Sequence, residues 1–459
     1  MNSRDRALWA LAISVSILCL MAPALWNRFP LLQWDTGDYI GLWFTHALSV
    51  NRGSIYGLFL DAGARYGFWP AVAIQSAVTV WVLALMLRTH GLGRRPLLLA
   101  GIVAALSVLT TLPWLTAVLL TDIFAGLAVF AAYLLILRAD RLTRGETAGM
   151  VALIGFCVAS HNATLAIVAG LVLVAALVWR LDRKRIQAPR LGLAVAGIAL
   201  GIVLIFGSNA VIAGKLAWTP GGFSVAFGRM LQDGIAKKYL DTHCPDADMH
   251  LLCRYKDQIP QDADQFFWHD PLFGKLGGFK TLGPEMERAA LGALAAYPWL
   301  QLKTAVVATG RQLIKVHTGE GVVNALWHTH RMVREHVPEW APAMEAAHQY
   351  QAPTDDMFEL INALHYPLAL GAMALLPLIA LFAFWELLPA PLAELSVTAM
   401  LALFGNAVVC GVLSNPHDRY GARMVWIAGL IVLLAFADAV QRLRRRSLKP
   451  LPSAEPLFY

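Results

Sequence analysis

Charge is scarce in this 459-residue chain: Asp, Glu, Lys and Arg together make up 15% of it, against roughly a quarter of an ordinary soluble domain. That shortage excludes a soluble enzyme, a disordered protein and a coiled coil. Cysteine is scarce too, with five in all. Cys19, Cys157 and Cys410 sit in apolar runs and read as packing residues. Cys244 and Cys253 share a polar loop, which pairs them if the loop is extracytoplasmic and leaves two free thiols otherwise. Several motifs are missing. No G-x-x-x-x-G-K-[ST] and no G-x-S-x-G occurs, so an ATP-driven pump or a serine hydrolase of those classes has no support. Asp35 and Asp38 are three apart and make no Asp-x-Asp pair. His328, His330 and His336 have a spacing that suits a strand better than a helix, and nothing completes a zinc pattern around them, so no metal is expected. No internal repeat at a solenoid period is visible.

What the chain has is apolar length: 58% of residues are hydrophobic and the mean hydropathy is +0.57. This is the composition of a polytopic membrane protein. A spanning helix needs about 20 mostly apolar residues. Such runs fall at 8–27, 67–88, 96–113, 115–137, 148–162, 164–180, 191–214, 363–386, 392–413 and 422–441. The expected fold is therefore an all-α polytopic membrane protein of about ten transmembrane helices. The run from Leu8 to Trp26 reads as a retained first helix rather than a cleaved leader, with Trp26 as its interfacial anchor.

The net charge of +7 might point to nucleic acid, but its distribution argues otherwise. Of the 37 Lys and Arg, 18 lie in five short clusters that flank apolar runs. These are Arg4 and Arg6; Arg88, Arg94 and Arg95; Arg138, Arg141 and Arg144; Arg180, Arg183, Lys184, Arg185 and Arg190; and Arg442, Arg444, Arg445, Arg446 and Lys449. With the N-terminus inside, all five fall on the cytoplasmic face, as the positive-inside rule asks. No nucleic-acid partner is expected. Four regions follow: an N-terminal membrane module 1–214 whose first outer loop is 28–66, an outer segment 215–362, C-terminal membrane helices 363–441 and a basic cytoplasmic tail 442–459. Between Ala289 and Ala308 the outer segment turns apolar, broken by Tyr297-Pro298-Trp299. That stretch reads as a helix lying on the membrane or packed under the loop domain, or else as one more span.

The polar residues of interest gather on the outer face. Asp35 and Asp38 precede an aromatic-rich stretch, Tyr39 to Phe44, that reads as an interfacial helix. Asp35 at headgroup depth is a candidate general base, whereas Asp38 reads more simply as a turn or cap residue. Asp122 sits near the outer end of an apolar helix, where an ionisable group is costly and points to function unless it only marks the helix end. His161 joins two short helices and reads first as a packing or capping residue, and otherwise as a phosphate ligand or an acid–base group. Arg52, Arg65, Lys215, Arg419 and Arg423, with His417, are cations that break the positive-inside pattern. They suit an anionic phosphate headgroup, which Arg can hold in a forked geometry, unless they pair with local acids such as Asp418.

These features together resemble the GT-C glycosyltransferase superfamily, which includes protein mannosyltransferases and aminoarabinose transferases of lipid A. The resemblance rests on Trp34-Asp35-Thr36-Gly37-Asp38-Tyr39 in the first outer loop, on Asp122 at the outer end of a later helix, and on Pro416-His417-Asp418-Arg419-Tyr420 before the last helix. It covers the layout of nearly the whole chain. Many members carry two adjacent acids where Asp35 and Asp38 are separated here, and the soluble C-terminal domain of some members is missing. The resemblance implies a transferase in the bacterial inner membrane, with both termini cytoplasmic and a periplasmic site. It would move a sugar from a polyprenyl-phosphate carrier to an envelope lipid, glycan or protein, with inversion and with no cofactor. Asp35 and Asp122 would be catalytic. Asp38, Arg65, His161, Lys215, His417, Arg419 and Arg423 would bind substrate, and membrane lipids would surround the whole. An O-antigen ligase or polymerase, a transporter and a non-catalytic scaffold are the alternative readings.

Overall fold

The computed structural model describes residues 2–184 and 188–447. Arg185 and the end of the basic tail, with Lys449, lie outside the described residues. From the N-terminus, α1 (Ser3–Asn27) leads to two short helices, α2 (Thr36–Thr45) and α3 (Ser54–Ala64). Then come α4 (Trp69–Thr89), α5 (Pro96–Leu109), the single turn and a half of α6 (Leu112–Ala117), α7 (Asp122–Leu137), α8 (Arg144–Ser160), α9 (Asn162–Leu181) and α10 (Leu191–Ala213). The middle segment holds α11 (Gly222–Gln232), α12 (Ile235–His243), α13 (His250–Tyr255), α14 (Pro271–Lys275), α15 (Gly278–Ala296), α16 (Pro298–Ile314), α17 (Trp327–His336), α18 (Ala341–Glu345) and α19 (His348–Gln351). Three long helices close the chain: α20 (Asp355–Phe384), α21 (Ala390–Leu413) and α22 (Asp418–Ser447). No strand forms among the described residues; Leu31 and Val118 make one isolated parallel bridge.

Among the described residues, seven helices are long and apolar enough to cross a membrane: α1, α4, α9, α10, α20, α21 and α22. The chain is thus an all-α, membrane-embedded protein. Helices α5, α7 and α8 coincide with the other three apolar runs but have only 14, 16 and 17 residues. The run at 115–137 is therefore not one helix. Residues 118–121 leave helical geometry because Leu31 and Leu119 pair their backbones, and α7 starts only at Asp122. Among the described residues, the basic clusters around Arg88, Arg138 and Arg190 lie together, Arg88 donating to Glu146 and the Arg141 carbonyl and the Arg190 N–H to the Ile136 carbonyl, while the N-termini of α7 and α22 meet the loop after α1 through Arg419.

In lipid, apolar burial does little to hold helices together, so close backbone approach matters more. Gly197 and Gly201, one turn apart on α10, let it seat on Ile154 and Val158 of α8; a Cβ at Gly201 would stand 2.5 Å from Val158 Cγ1. Helix α7 is buried from Asp122 to Ile136 and forms the axis of the bundle. Its first residue is a carboxylate, which places a charge at the head of the most enclosed helix.

The middle segment divides. Residues 222–300 pack around their own apolar core, with Phe227, Tyr239, Phe266 and Met286 inside, and Cys244 and Cys253 form a disulfide. The stretch from Val322 to Phe358 belongs instead to the main core, with Val333 and Met344 buried there. The break expected at Tyr297 ends α15, and α16 runs alongside α21, with Gly411 against Ala308. The spacing of His328 and His330 does not make a strand; both lie on α17, which packs over α2.

Candidate active site

The first outer loop folds because its polar groups find partners across the chain. Thr329 of α17 donates from Oγ1 to the carbonyls of Gln33 and Trp34 and accepts from the Gly37 N–H at 3.0 Å. Gln349 of α19 grips the Leu32 backbone from both sides. The chain around Asp35 is thereby held from two sides before any charge is considered. Asp35 stands at the N-terminus of α2, yet its side chain makes no capping hydrogen bond. It turns instead to two arginines. Arg52 Nη2 donates to Oδ1, and Arg419 Nη1 donates to Oδ2 at 2.5 Å.

Arg419 is shared. Its Nε donates to Asp122 Oδ2 at 2.7 Å. Arg423, one turn further along α22, lies 3.8 Å from Asp122 Oδ1 and donates to Asn406 Oδ1. Arg52 reaches a second acid as well, with Asp38 Oδ2 at 3.6 Å. Asp38 accepts from His328 Nε2 at 3.0 Å. Three acids and three arginines thus form one continuous network, drawn from the first loop, the head of α7 and the start of α22. Asp122 and Arg423 are 2% and 1% exposed, whereas Asp35, Arg52 and Arg419 keep 13 to 18% of their side-chain surface open. Two buried atoms in this network have no hydrogen-bond partner, Asp122 Oδ1 and Arg52 Nε.

Electrostatics follow from that arrangement. Burial works to raise the Asp35 pKa, but the charges and hydrogen bonds of Arg52 and Arg419 override it and hold the carboxyl below the ordinary range. Burial pushes the Tyr39 phenol up to about 12, so it stays neutral beside this network. Its hydroxyl lies 3.4 Å from that of Thr121.

The turn before α22 is clasped from the segment 315–320. Glu320 Oε2 accepts from the Arg419 N–H at 2.6 Å and Oε1 accepts from His417 Nδ1 at 2.8 Å. Glu320 lies between Gly319 and Gly321, at φ of +100° and +79°, conformations that ordinary side chains disfavour. A Cβ at Gly319 would also strike the Phe358 ring at 2.3 Å. On its other side, His417 Nε2 meets Asp264 of the 222–300 unit at 3.4 Å. Burial lowers the His417 pKa, but the two acids outweigh it and push the imidazole up to about 9, so it is a cation at neutral pH.

The structure therefore brings Asp35, Asp38, Asp122, Arg419 and Arg423 into one network and sets His417 beside it. His161 caps α9, accepting from the Ala163 N–H through Nδ1 at 3.2 Å. It makes no hydrogen bond to the arginines, although their charges act on it. Arg65 and Lys215 are not brought in. Both are exposed; Arg65 leans on the ring of Tyr66, and its carbonyl accepts from Trp340. Among the described residues no group of three His, Cys, Asp or Glu is arranged to hold a metal ion. No protein-family model, curated protein or solved structure matches the chain.

Residue-by-residue reading passed over Glu320, Asp264 and the pairing of His328. Arg52 stood out only as one of several outer cations. A Gly-Glu-Gly triplet was the available signal for Glu320, because two flexible residues around one acid mark a turn built to present it. Nothing local marks Asp264, whose partner lies 153 positions away by chain number.

Proposed function

We propose that this chain is a membrane glycosyltransferase that moves a sugar from a polyprenyl-phosphate donor to a hydroxyl of an envelope acceptor. One observation carries the reading: acids from the first loop and the head of α7 converge on arginines at the start of α22, at one end of a membrane bundle. The prenyl tail would lie among the helices and the phosphate at the arginines. Asp35 would take the proton of the acceptor hydroxyl as its oxygen attacks the anomeric carbon. The bond from that carbon to the phosphate oxygen breaks, and the prenyl phosphate leaves with the electron pair. Arg419 and Arg52 would stabilise the negative charge gathering on it, which is where fixed cations lower a barrier most. Inversion follows from attack opposite the leaving group. Asp122 would hold Arg419 in position rather than touch substrate. The site faces the periplasm in this reading, because the basic clusters at the other end mark the cytoplasmic side.

The test is mass spectrometry of envelope glycans and prenyl-linked sugars in a deletion strain carrying wild type or Asp35→Asn. A sugar missing from its acceptor, a donor that accumulates, and rescue by wild type alone are expected. Unchanged glycans and carriers in every strain would sink the transferase.

A further inference from the structure

The network is internally neutral. Asp35, Asp38 and Asp122 balance Arg52, Arg419 and Arg423, and both Asp35 oxygens are already engaged. An arriving phosphate therefore finds no spare cation and has to replace an acid already there. The acids differ in how firmly they are held. Asp122 is enclosed at the head of α7, between Arg419 and Arg423. Asp35 sits on a loop, 18% exposed, and its two arginines are the partly open ones. Arg52 Nε makes no hydrogen bond, its acid Asp38 Oδ2 standing off at 3.6 Å, so it can still donate to a closer oxygen. Guanidinium forks match phosphate oxygens as well as they match carboxylates.

We propose that Asp35 is the resident anion of a two-arginine phosphate seat: the phosphate of a prenyl carrier displaces it from Arg52 and Arg419, and the carboxylate released is the one that takes the acceptor proton. This rests on the transferase reading above and adds an order to it. A carboxylate clamped by two guanidiniums is a weak base; released, it regains the basicity of an ordinary one. The base is thus masked until the donor is seated, and the donor binds before the acceptor. The cycle also closes. After transfer the proton sits on Asp35, which is neutral and no longer competes for the arginines. When the proton passes to water, Asp35 reclaims them and expels the prenyl phosphate.

The prediction runs against intuition, because removing an active-site acid should tighten donor binding. Purified wild type and Asp35→Asn in detergent would be titrated with a C15 prenyl monophosphate, with the matching prenol and with inorganic phosphate. Asp35→Asn should bind the prenyl phosphate at least about tenfold more tightly, the equivalent of one charge pair freed, with no change for the prenol. Equal or weaker binding overturns the competition. A gain seen with inorganic phosphate alone upholds the seat and overturns the lipid carrier as its ligand. No binding of either phosphate by either protein overturns both. If Asp35→Asn does not fold, Asp38→Asn, which frees the other side of Arg52, should show a gain of about threefold, and no gain there overturns the proposal.

Discussion

The two ends of the bundle hold charge in different ways. At the end with the basic clusters, Arg88 makes a forked pair with Glu146 at 2.6 Å. Arg138 pairs with Glu394 and donates from Nε to the Tyr133 hydroxyl at 3.1 Å. Arg88 and Arg138 each pair with one acid, and one member of each pair is 41% exposed. At the other end, Arg419 holds two acids, Asp35 and Asp122, that lie far from it along the chain, and Asp122 and Arg423 are almost wholly enclosed. The first arrangement stitches helix ends together at a wet surface, where ion pairs contribute about 0–1 kcal/mol. The second takes charges out of water, which costs more than stitching requires. It also leaves Asp122 Oδ1 and Arg52 Nε without hydrogen bonds. A stabilising device needs neither feature, and a seat for an anion would use the Arg52 donor.

The sharpest way to break this contrast is to make the same small change at both ends. Arg419→Lys keeps the charge but replaces a planar fork with a point charge that cannot bridge Asp35 and Asp122. If the outer network is catalytic, sugar transfer by membranes carrying Arg419→Lys should fall on the order of 100-fold or more. Arg138→Lys should leave transfer near wild type. Equal effects at the two ends would mean that the outer network is only structural.

The contrast also shows how far the chain could be read before its fold was known. The apolar runs were legible because hydropathy is local: each span is decided by the roughly 20 residues within it. The run at 115–137 is broken by a backbone pairing with Leu31 that no local window contains. The ionisable residues stood out for the same local reason, since Asp122 and Arg423 are conspicuous inside apolar sequence. Their partners were not legible. Arg52 and Arg65 look alike in a polar loop, yet one clamps Asp35 and the other is exposed at the surface. Only the fold separates them, because α3 begins just after Arg52 and carries Arg65 away at its far end. His161 reads in sequence as a packing or capping residue, and in the structure its Nδ1 accepts from the Ala163 N–H.

The next test weighs stability rather than activity. Arg423 is 1% exposed and satisfies Asn406, the Cys410 sulfur and part of the Asp122 charge. Arg423→Met keeps the volume and removes the cation. Breaking one side of a buried pair costs about 3–5 kcal/mol, because the acid left behind is buried with less compensation. Thermal unfolding in detergent should show that loss, and Glu394→Gln at the other end should show less than about 1 kcal/mol. If the two variants melt alike, burial has not made the outer charges different in kind.

The smallest effect belongs to the link between the 222–300 unit and the bundle, and it is a matter of pH. His417 is held at about 9 by Asp264 and Glu320, against about 6.5 in an unfolded chain. A group whose pKa is raised on folding stabilises the fold fully below its unfolded value and loses that contribution as pH rises through the folded one. The tie should therefore be intact near pH 6 and fade between about pH 6.5 and 9. Asp264 is 43% exposed, so solvent screening keeps the effect small. Hydrogen-exchange protection around Asp264, corrected for the intrinsic pH dependence of exchange, should drop across that window by no more than about fivefold. In His417→Gln, which cannot carry the charge, protection should already be low at pH 6 and stay level to pH 9. A variant that keeps the wild-type slope would show that some other group fastens the outer unit to the bundle.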